Sequence, residues 1–441
     1  MDEILLTRAL FGTTMAFHII FATMGVALPL MILSAEILYL KTKDKDYAVM
    51  VKRWIKGFAI LLAVAIPSGT IAGVQLSLLW PGYMKIIGEV VPLPFQIEIF
   101  AFFIEALFLS IYVYAADRLS SLMRIVSVSL VALGAAASAV LITNAHAFQN
   151  TPVGFRMVEG QIVDVDPWAA FFNPNFVVAA SHVLVTAYMT GAFVLASVAA
   201  FKMLKAEPGS SHFIYYRKAL MLGLIIGGLF SIFSAFTGHE SAIHLHLYNP
   251  EKLAAAEGLF ETTSHAPLKI GGWTDPERQE VKYAIEIPGL LSFLAGYSFD
   301  EVVRGLNDFP EEYWPPLFIR LLFNGMVGIG ILLIMLSVIG FIWRHILKRE
   351  VFPKWMLGCF VVSGPLAMLA IELGWLFACI GRQPWAIYRV LSTAEAATTA
   401  GHIAPLFVLF TGWYVVLAII TALVLYFYFK RHPLAEDIPI S

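Results

Sequence analysis

Residues 355–388 read WMLGCFVVSGPLAMLAIELGWLFACIGRQPWAIY, an apolar stretch followed by a more polar one. The part up to Ile380 is long enough to cross a bilayer, because a transmembrane helix needs about 20 apolar residues. Gly-Arg-Gln-Pro-Trp follows at 381–385. Arg and Gln at the edge of the hydrocarbon layer are costly without a partner, and an anionic cofactor would supply one. The stretch therefore predicts a membrane helix that ends beside a cofactor.

Composition extends this prediction to the whole chain of 441 residues. Hydrophobic residues make up 59% and charged residues 14%, with a mean hydropathy of +0.79. Such a composition is typical of a polytopic helical membrane protein. The net charge of -2, without any basic run, gives no indication of nucleic-acid binding. The two cysteines, Cys359 and Cys379, share one apolar stretch and predict no disulfide framework.

The predicted fold is an all-α bundle with about nine transmembrane helices. The apolar stretches lie near residues 9–38, 55–80, 94–116, 124–146, 176–203, 218–237, 318–345, 355–380 and 403–430. The acidic N-terminus lacks a small-residue cleavage site, so we expect the first stretch to remain as a span.

The distribution of positive charge predicts the orientation of these helices. Lys and Arg are frequent in the loops after spans one, three, five and seven and after span nine. The other short loops hold only Lys85, Arg156, Arg382 and Arg389. Because Lys and Arg are enriched in cytoplasmic loops, we expect the N-terminus outside and the C-terminus in the cytoplasm.

A long polar connection at 238–316 interrupts the series of spans, and the predicted orientation places it outside. Loops of this length are uncommon without a function, so we interpret it as an external lid. The chain then divides into helices one to six at 1–237, the outer loop at 238–316, and helices seven to nine at 317–441.

Five spans carry side chains that are predicted to lie at one depth near the outer face: His18, Glu98, Glu105, His182, Met326 and Cys379. His, Met and thiolate are the ligands of haem iron, and ionisable groups within spans are functional candidates. Each also has a simpler interpretation. A membrane His is often a hydrogen-bonded interior residue, Met is usually a packing residue, and Glu can pair with Arg. The shared depth favours haem, with Arg382 and Arg389 available for its propionates.

The chain resembles subunit I of the cytochrome bd family of quinol oxidases over nearly its whole length. The motifs that carry the resemblance are Thr7-Arg8 with Phe17-His18, residues 101–105, residues 149–155, Gly374-Trp375 and residues 381–385. In the outer loop, residues 250–257 with Glu261-Thr262 resemble the quinol-binding loop of the family. The family has nine helices in this subunit and an outside N-terminus, in agreement with the charge distribution.

The resemblance implies a low-spin haem b, a high-spin haem b, and a haem d or a third haem b. His182 and Met326 would be the axial ligands of the low-spin haem. His18 would ligate one of the two high-spin haems. Glu98 and Glu105 would bring protons to that pair or contact its iron.

The remaining implied roles concern the cofactor edges and the electron donor. Lys252 and Glu257 would orient the quinol and take its protons. Arg382 would hold a haem propionate, and Arg8 would also contribute to cofactor binding. Trp375 would lie between haems, although Trp is also a common interfacial anchor.

One departure from the family concerns a haem ligand. Cys379 stands two residues before the Gly-Arg-Gln-Pro-Trp motif, where Glu is usual. A thiolate is a stronger donor than a carboxylate and would change the spin state and potential of the iron. We therefore predict that Cys379 ligates this haem, with Glu372 as the alternative ligand. Whether the haem is haem d remains open at this point.

Other departures lie around the outer loop, which is of the shorter family type. Asn324 stands where Arg is usual, His239 where Asp is usual, His146 where Trp is usual and Asn249 where Gln is usual. The His residues at 239, 244 and 246 are irregularly spaced, so we do not expect them to form a metal site.

The leading hypothesis is a haem-containing subunit of a quinol:oxygen oxidoreductase in the prokaryotic cytoplasmic membrane. It would oxidise quinol at the outer face, reduce oxygen to water, and assemble with a second helical subunit (subunit II) and a small single-span subunit. One alternative is a divergent haem reductase with another electron donor or another small oxidant. A second alternative is a membrane transporter, which the outer position of the polar residues and the lack of paired broken helices disfavour.

Overall fold

A computed structural model describes residues 3–115 and 118–438. Its helices, in chain order, are α1 Glu3–Thr42, α2 Lys45–Leu79, α3 Pro81–Val90, α4 Leu93–Ala115, α5 Ser121–Asn150, α6 Pro167–Phe171, α7 Phe176–Met203, α8 Ser211–Tyr248, α9 Pro250–Glu257, α10 Leu290–Gly296, α11 Ile319–Phe341, α12 Lys354–Ile380, α13 Thr393–Ala396 and α14 Ile403–Arg431. Among the described residues, nine helices are long and apolar enough to cross a membrane. These are α1, α2, α4, α5, α7, α8, α11, α12 and α14, which confirms the predicted bundle.

The sixth spanning helix differs most from the prediction. We expected it to end near residue 237, but α8 continues to Tyr248, so residues 238–248 of the predicted outer loop are helical. The polar side chains that suggested a loop bind neighbouring elements instead. His244 Nε2 lies 2.9 Å from Thr151 Oγ1, and His246 Nε2 lies 2.9 Å from Glu301 Oε1. A helix that leaves the apolar layer need not end there when its polar side chains find partners.

Within residues 3–115 and 118–438, short strands occur only in the connections between spanning helices. They are β1 Arg156–Val158, β2 Gln161–Val163, β3 Leu268–Ile270, β4 Trp273–Asp275, β5 Glu280–Lys282, β6 Ile285–Ile287, β7 Trp385–Ile387 and β8 Leu391–Ser392. The antiparallel pairs are β1 with β2, β3 with β6, β4 with β5, and β7 with β8. The outer loop thus holds two nested strand pairs, and the segment after α12 folds back as a hairpin.

Four of the spanning helices form a closed bundle in which α7 packs on α8, α8 on α11, α11 on α12, and α12 on α7. In this cycle α7 and α11 lie diagonally across from each other. Glycines allow the close approaches: a Cβ on Gly364 would lie 2.7 Å from Ser197 Cβ, and one on Gly228 would lie 2.7 Å from Ser337 Cβ. Small residues at helix contacts are the usual means of tight packing in a membrane.

The remaining spanning helices surround this bundle on one side. Helix α1 packs against α2, α5, α7 and α14, and α4 pairs with α5. At the end of the bundle that holds the Lys- and Arg-rich loops, ion pairs join distant segments: Lys52 and Arg53 with Asp437, Lys218 with Asp44 and Asp46, Arg217 with Glu350, and Arg124 with Glu36. The opposite end carries the outer loop and the hairpin after α12.

Candidate functional site

His182 on α7 is oriented by a hydroxyl group on the neighbouring helix α8. Its Nδ1 lies 2.9 Å from Thr237 Oγ1, and that hydroxyl is 3.1 Å from the Phe233 carbonyl, to which it donates its own proton. The Thr237 oxygen therefore accepts a hydrogen bond from Nδ1–H, and the Nε2 lone pair of His182 has no hydrogen-bond partner among the described residues. A His ligand whose other ring nitrogen donates a hydrogen bond is the usual arrangement at a metal site.

His18 on α1 shows the same arrangement with a different partner. Its Nδ1 lies 3.0 Å from Ser68 Oγ on α2, and Ser68 donates to the Ala65 carbonyl at 2.9 Å. The ring lies over Gly69, where a Cβ would come within 2.9 Å of His18 Cε1. The Nε2 of His18 is therefore also free to bind a metal, and Gly69 provides the space for the ring.

Met326 lies at the start of the third turn of α11, across the four-helix bundle from α7, and His182 lies in the second turn of α7. The sulfur of Met326 packs against Gly374 on α12, where a Cβ would lie 2.7 Å from Sδ. The Gly of the Gly374-Trp375 motif therefore leaves room for the thioether. The helices that carry His182 and Met326 thus lie on opposite sides of one bundle, as a two-ligand haem site in a bundle requires.

Helix α12 presents three candidate residues on one face. Glu372, Trp375 and Cys379 follow at spacings of three and four residues. The Trp375 ring lies 5.4 Å from the ring of His146 on α5. The Oε1 atom of Glu372 is buried and has no hydrogen-bond partner in the described part of the chain. Cys379 is half-buried at the end of the helix, about 10 Å further along the axis.

The two carboxylates of α4 lie two turns apart and face α5. Glu98 accepts a hydrogen bond from Ser138 Oγ at 2.6 Å. Glu105 is buried beside Gly134, and a Cβ added to Gly134 would lie 3.0 Å from the Cβ of Glu105. Two turns further along the same face of α4, the Tyr112 hydroxyl donates a hydrogen bond to the Glu36 carboxylate. The predicted proton-carrying residues thus share a polar helix face with a residue that the sequence analysis did not single out.

Several buried polar atoms near the outer ends of the helices have no partner within residues 3–115 and 118–438. They are Nη1 of Arg382, Nε1 of Trp385 and both amide atoms of Gln75 on α2. Buried polar groups are normally hydrogen-bonded, so such unpaired groups indicate a missing partner. A haem propionate would accept hydrogen bonds from a guanidinium, an indole N–H and an amide. These residues therefore fit haem, although a Gln in an apolar stretch gave no signal in the sequence.

Lys252 on α9 points into the protein and is 5% exposed. Its Nζ donates to the Ala378 carbonyl at 3.0 Å, next to Cys379. The side chain passes Gly381, where a Cβ would lie 2.8 Å from Lys252 Cε. Burial, and secondarily the charge of Arg382, lowers the pKa of Lys252 to about 7. The structure thus places Lys252 against the end of α12 rather than at the outer surface.

A buried carboxylate fixes α9 to the hairpin after α12. Glu251 is 2% exposed and accepts hydrogen bonds from Tyr388 Oη at 2.8 Å and from Arg389 Nη2 at 3.0 Å. Arg389 adopts φ +54 in the turn of the hairpin, a conformation that is uncommon for a residue other than Gly. Burial, followed by the neighbouring carboxylate, raises the pKa of Tyr388. These three residues form a clamp, the Glu251 clamp, that the sequence analysis missed.

Glu257 at the other end of α9 is buried next to Arg320 of α11. Burial raises the pKa of Glu257 to about 7, and the Arg320 charge opposes this shift. Arg320 is 1% exposed and donates to the carbonyls of Ala256, Lys269 and Gly271. The carboxyl group of Glu257 is therefore close to a fixed positive charge.

Asn324 lies one helical turn after Arg320 on α11. It accepts a hydrogen bond from the Gly271 N–H at 2.9 Å and donates to the Arg320 carbonyl at 3.0 Å. The residue that replaces the usual Arg therefore holds the β3–β4 turn of the outer loop.

The remaining predicted residues are less informative. Arg8 is half-buried near the start of α1. His239, His244 and His246 each contact a different partner, namely Tyr297, Thr151 and Glu301. Together, the structure brings Lys252, Cys379 and Arg382 to one place, and Glu257 with Arg320 to another.

Comparisons with known proteins agree with this geometry. The sequence profile of the family described as cytochrome bd terminal oxidase subunit I matches residues 6–433. A provisionally named cytochrome bd menaquinol oxidase subunit I of Bacillus subtilis (strain 168) is 61% identical over 438 residues, which cover 99% of each chain. The cytochrome bd ubiquinol oxidase subunit 1 of that strain is 31% identical over 466 residues, covering 100% of this chain and 97% of that protein. The solved structure of bd oxidase from Geobacillus thermodenitrificans matches with a TM-score of 0.92 at 46% identity, covering 98% of this chain and 99% of its own.

Proposed function

Because this chain belongs to the cytochrome bd terminal oxidase subunit I family, we propose that it oxidises membrane quinol near the outer face and reduces oxygen to water. It is a haem-containing, multi-pass subunit of a respiratory oxidase complex in a prokaryotic plasma membrane. In the proposed reaction two quinols each lose two electrons and two protons. One oxygen molecule takes up the four electrons and four protons to give two waters.

The observation that carries the proposal is the pair of His residues with free Nε2 atoms. His182 and His18 each donate Nδ1–H to a hydroxyl oxygen on the next helix. We assign His182 and Met326 to a low-spin haem b, which the two residues would hold together and which would carry electrons. We assign His18 to one of two high-spin haems. These haems would supply the chemistry of oxygen binding and reduction when bound.

The third haem, haem d or a further haem b, would be held from α12. Cys379 is the first candidate ligand and Glu372 the second, since both lie on one face of the helix. Arg382, Trp385 and Gln75 would donate hydrogen bonds to propionates, and Arg8 would contribute from α1. Trp375, in contact with His146, would lie between haems.

Proton delivery is the proposed role of α4. Oxygen reduction consumes protons, so buried carboxylates must relay them through the apolar layer. Glu98, held by Ser138, and Glu105, two turns away, would carry protons to the oxygen-reducing haems. On the donor side, Glu257 would accept a quinol proton. Lys252 would orient the quinol, from a position where its Nζ donates to the Ala378 carbonyl at the end of α12.

The partners and the orientation follow the family. We propose a second helical subunit and a small single-span subunit as neighbours, with the N-terminus outside and the C-terminus in the cytoplasm. The outer face of α14 would contact a partner subunit or lipid, because large apolar side chains such as Val408, Leu409 and Val415 are exposed there.

A second candidate function rests on Cys379 and Asn324. A thiol at the usual carboxylate position and an amide at the usual Arg position favour a haem reductase that uses another electron donor or another small oxidant. The transporter alternative has no comparable support.

The test is a reduced-minus-oxidised spectrum of the purified complex together with oxygen uptake driven by quinol. The proposal expects haem bands and quinol-dependent oxygen consumption in the same preparation. Haem bands without quinol-driven uptake would leave the haem-reductase alternative, and a preparation without haem bands would overturn both.

A further inference from the structure

The strands of the outer loop form a bent ribbon with an exposed apolar surface. Residues 268–287, which we name the outer ribbon, run as one two-stranded antiparallel segment in which β3 pairs with β6 and β4 with β5. The ribbon bends where Gly271-Gly272 and Tyr283-Ala284 separate the two strand pairs. Its large exposed side chains are Ile270, Trp273, Tyr283 and Ile285. Tyr283 is 94% exposed and Ile285 is 68% exposed, so the protein itself leaves these side chains almost uncovered.

The β3–β6 pair has the reverse of the polarity pattern expected in water. Ile270 and Ile285 are cross-strand partners on one face, and that face is exposed. Lys269 and Glu286 are partners on the other face, where the Lys269 side chain is only 15% exposed and its Nζ lies 3.8 Å from Glu286 Oε1. An antiparallel pair with one solvated face normally turns its polar side chains to water. The reversal indicates that the exposed face meets surroundings less polar than water.

The charges of the outer ribbon are nearly balanced. Residues 268–287 hold three positive and four negative side chains. Lys282 forms an ion pair with Asp275, and Lys269 is close to Glu286. The ribbon therefore offers no cluster of positive charge that would select an anionic headgroup, and its surface suits a zwitterionic one.

Contacts with α11 fix the depth of the bend. The Gly271 N–H donates to Asn324 Oδ1 at 2.9 Å, and Arg320 Nη2 donates to the carbonyls of Lys269 and Gly271. The span Ile319–Ile346 has 28 residues. At 1.5 Å per residue it is about 42 Å long, which matches a bilayer together with its headgroup layers. Asn324 lies roughly 7 Å inside the outer end of this span, so the bend lies in the outer headgroup layer.

The exposed surface of the ribbon continues onto the spanning helix. Trp273 lines one cavity together with Phe318 and Leu321, and all three side chains are exposed. Phe318 and Leu321 belong to the outer end of α11, whose exposed apolar face meets the membrane. Trp and Tyr are enriched at the level of the headgroups, because their rings have an apolar body and a polar edge. Trp273 and Tyr283 thus extend the membrane-facing surface from α11 to the outer loop.

From these observations we propose that the outer ribbon is a membrane-contacting element that lies in the outer headgroup layer. Ile270, Trp273, Tyr283 and Ile285 contact zwitterionic phospholipid, and the lipid holds the outer loop at the end of the bundle that carries α11. The proposal goes beyond the proposed reaction, because it does not depend on the electron donor or on the oxidant. It assigns a partner to a surface that no described residue covers.

The test uses the purified complex in phosphatidylcholine nanodiscs. Tyr283→p-benzoylphenylalanine places a photoreactive ring at the most exposed position of the ribbon. After irradiation, we expect the peptide that contains residue 283 to gain the mass of one phosphatidylcholine. Adding Ile285→Asp to this variant should lower the yield of the adduct about fivefold, because a carboxylate is costly to move into an apolar layer.

The matched control is Asp300→p-benzoylphenylalanine, at a position in the same loop whose side chain is 88% exposed but lies outside the ribbon. Its peptide should gain no lipid. A cross-link from position 283 to another polypeptide would assign the apolar face to a partner subunit and overturn the proposal. No adduct at position 283, or equal lipid yields at 283 and 300, would also overturn it. Because the readout is a covalent adduct, none of these outcomes depends on oxidase activity.

Discussion

At the scale of single residues, the rings of the two His candidates are oriented by hydroxyl groups on neighbouring helices. The hydroxyl groups of Ser68 and Thr237 each donate a hydrogen bond to a backbone carbonyl. Only an oxygen lone pair of each hydroxyl therefore remains to interact with the His ring. The tautomer of His18 and His182 is therefore set before any haem is bound. Such partners tune ligand basicity and are important for metal affinity.

Thr237→Val is expected to weaken the His182 site without removing the ligand. The imidazole would lose the acceptor that holds its Nδ1–H, so low-spin haem should bind about 10- to 100-fold more weakly. Haem per protein and the low-spin band in the reduced spectrum measure the effect. Thr186→Val is the control, because Thr186 donates to the backbone carbonyl of His182 and not to the ring. Equal spectra in the two variants would contradict the role of Thr237.

The His and Glu candidates could be predicted from the sequence, because an ionisable residue in an apolar stretch is conspicuous, whereas the role of Met326 followed from the family resemblance. The residues that orient the His rings could not be predicted. Ser68 and Thr237 are ordinary small polar residues in spans, and their role depends on which helices are neighbours. The roles of Gly69 and Gly374 are likewise visible only when the facing side chain is known.

The α12 ligand is a second question at this scale. If Cys379 holds the third haem, Cys379→Ala should lose one high-spin haem per complex and Glu372→Gln should retain all haems. The physical reason is that loss of the ligand leaves the iron without its donor, whereas loss of a neighbouring charge does not. Pigment extraction with quantification by mass measures the result. Loss of haem in Glu372→Gln alone would assign the site to Glu372.

Glu257 provides a prediction about pH. Its pKa is raised to about 7, and Arg320 is the charged group that faces it. The carboxylate accepts a proton only when it is ionised, so quinol kcat/KM should rise as the pH increases through about 7. The raised pKa also affects the free energy of unfolding. The contribution of protonated Glu257 to stability is fully present at a pH below the ordinary Glu pKa and is lost as the pH rises through about 7.

Glu257→Gln should lower kcat/KM about 100-fold and remove the step near pH 7, because a general base contributes about 10²- to 10⁴-fold. A pH profile of quinol-driven oxygen uptake measures both effects. Glu261→Gln, an exposed carboxylate that accepts from Asn307 in the same loop, should retain the step. A step that persists in Glu257→Gln belongs to another group.

At the scale of elements, α9 is the part of the outer loop that contacts the hairpin after α12. The Glu251 clamp fixes its first turn to the hairpin after α12, and Arg320 binds the Ala256 carbonyl at its end. Lys252 and Glu257 therefore project from a short helix that is held at both ends. This positioning explains how one helix reaches both the end of α12 and the end of α11.

Glu251→Gln should loosen α9 without unfolding the protein. The buried carboxylate would lose its charge-assisted bonds to Tyr388 and Arg389, so amide hydrogen exchange across residues 253–257 should be about tenfold faster. Hydrogen exchange measured by mass spectrometry is the readout. Glu286→Gln, on exposed strand β6, should leave the exchange of α9 unchanged. Unchanged exchange in Glu251→Gln would mean that the clamp does not hold the helix.

The element boundaries show where the sequence is informative. Helix α7 covers 176–203 as predicted, because its apolar stretch is bounded by polar residues at both ends. Helix α8 is longer than predicted, because its last turns carry polar side chains that bind residues of the connecting segments. The strands of the outer loop were not predicted, since each has only three residues and too little sequence to display an alternating pattern.

At the scale of the whole molecule, the charge distribution and the structure agree on two different ends. The Lys- and Arg-rich end is joined by ion pairs that link the C-terminal segment, through Asp437, to α2. Most of these pairs are partly exposed, so each contributes little on its own. Their value is geometric, because they fix the ends of helices that are far apart in sequence. The other end holds the outer loop and all the candidate ligands.

The orientation gives the last prediction. With an odd number of spans, the two termini lie on opposite sides, and the positive-inside rule places the C-terminus in the cytoplasm. A green fluorescent protein fused after Ser441 should therefore fluoresce, and alkaline phosphatase fused there should be inactive. The matched control is the same pair of reporters fused after Ala400, ahead of α14, where both signals should reverse. Active phosphatase after Ser441 would invert the bundle. It would also put the outer loop and the proposed haems at the cytoplasmic face, so that quinol protons would be released inside and the direction of charge separation would be reversed.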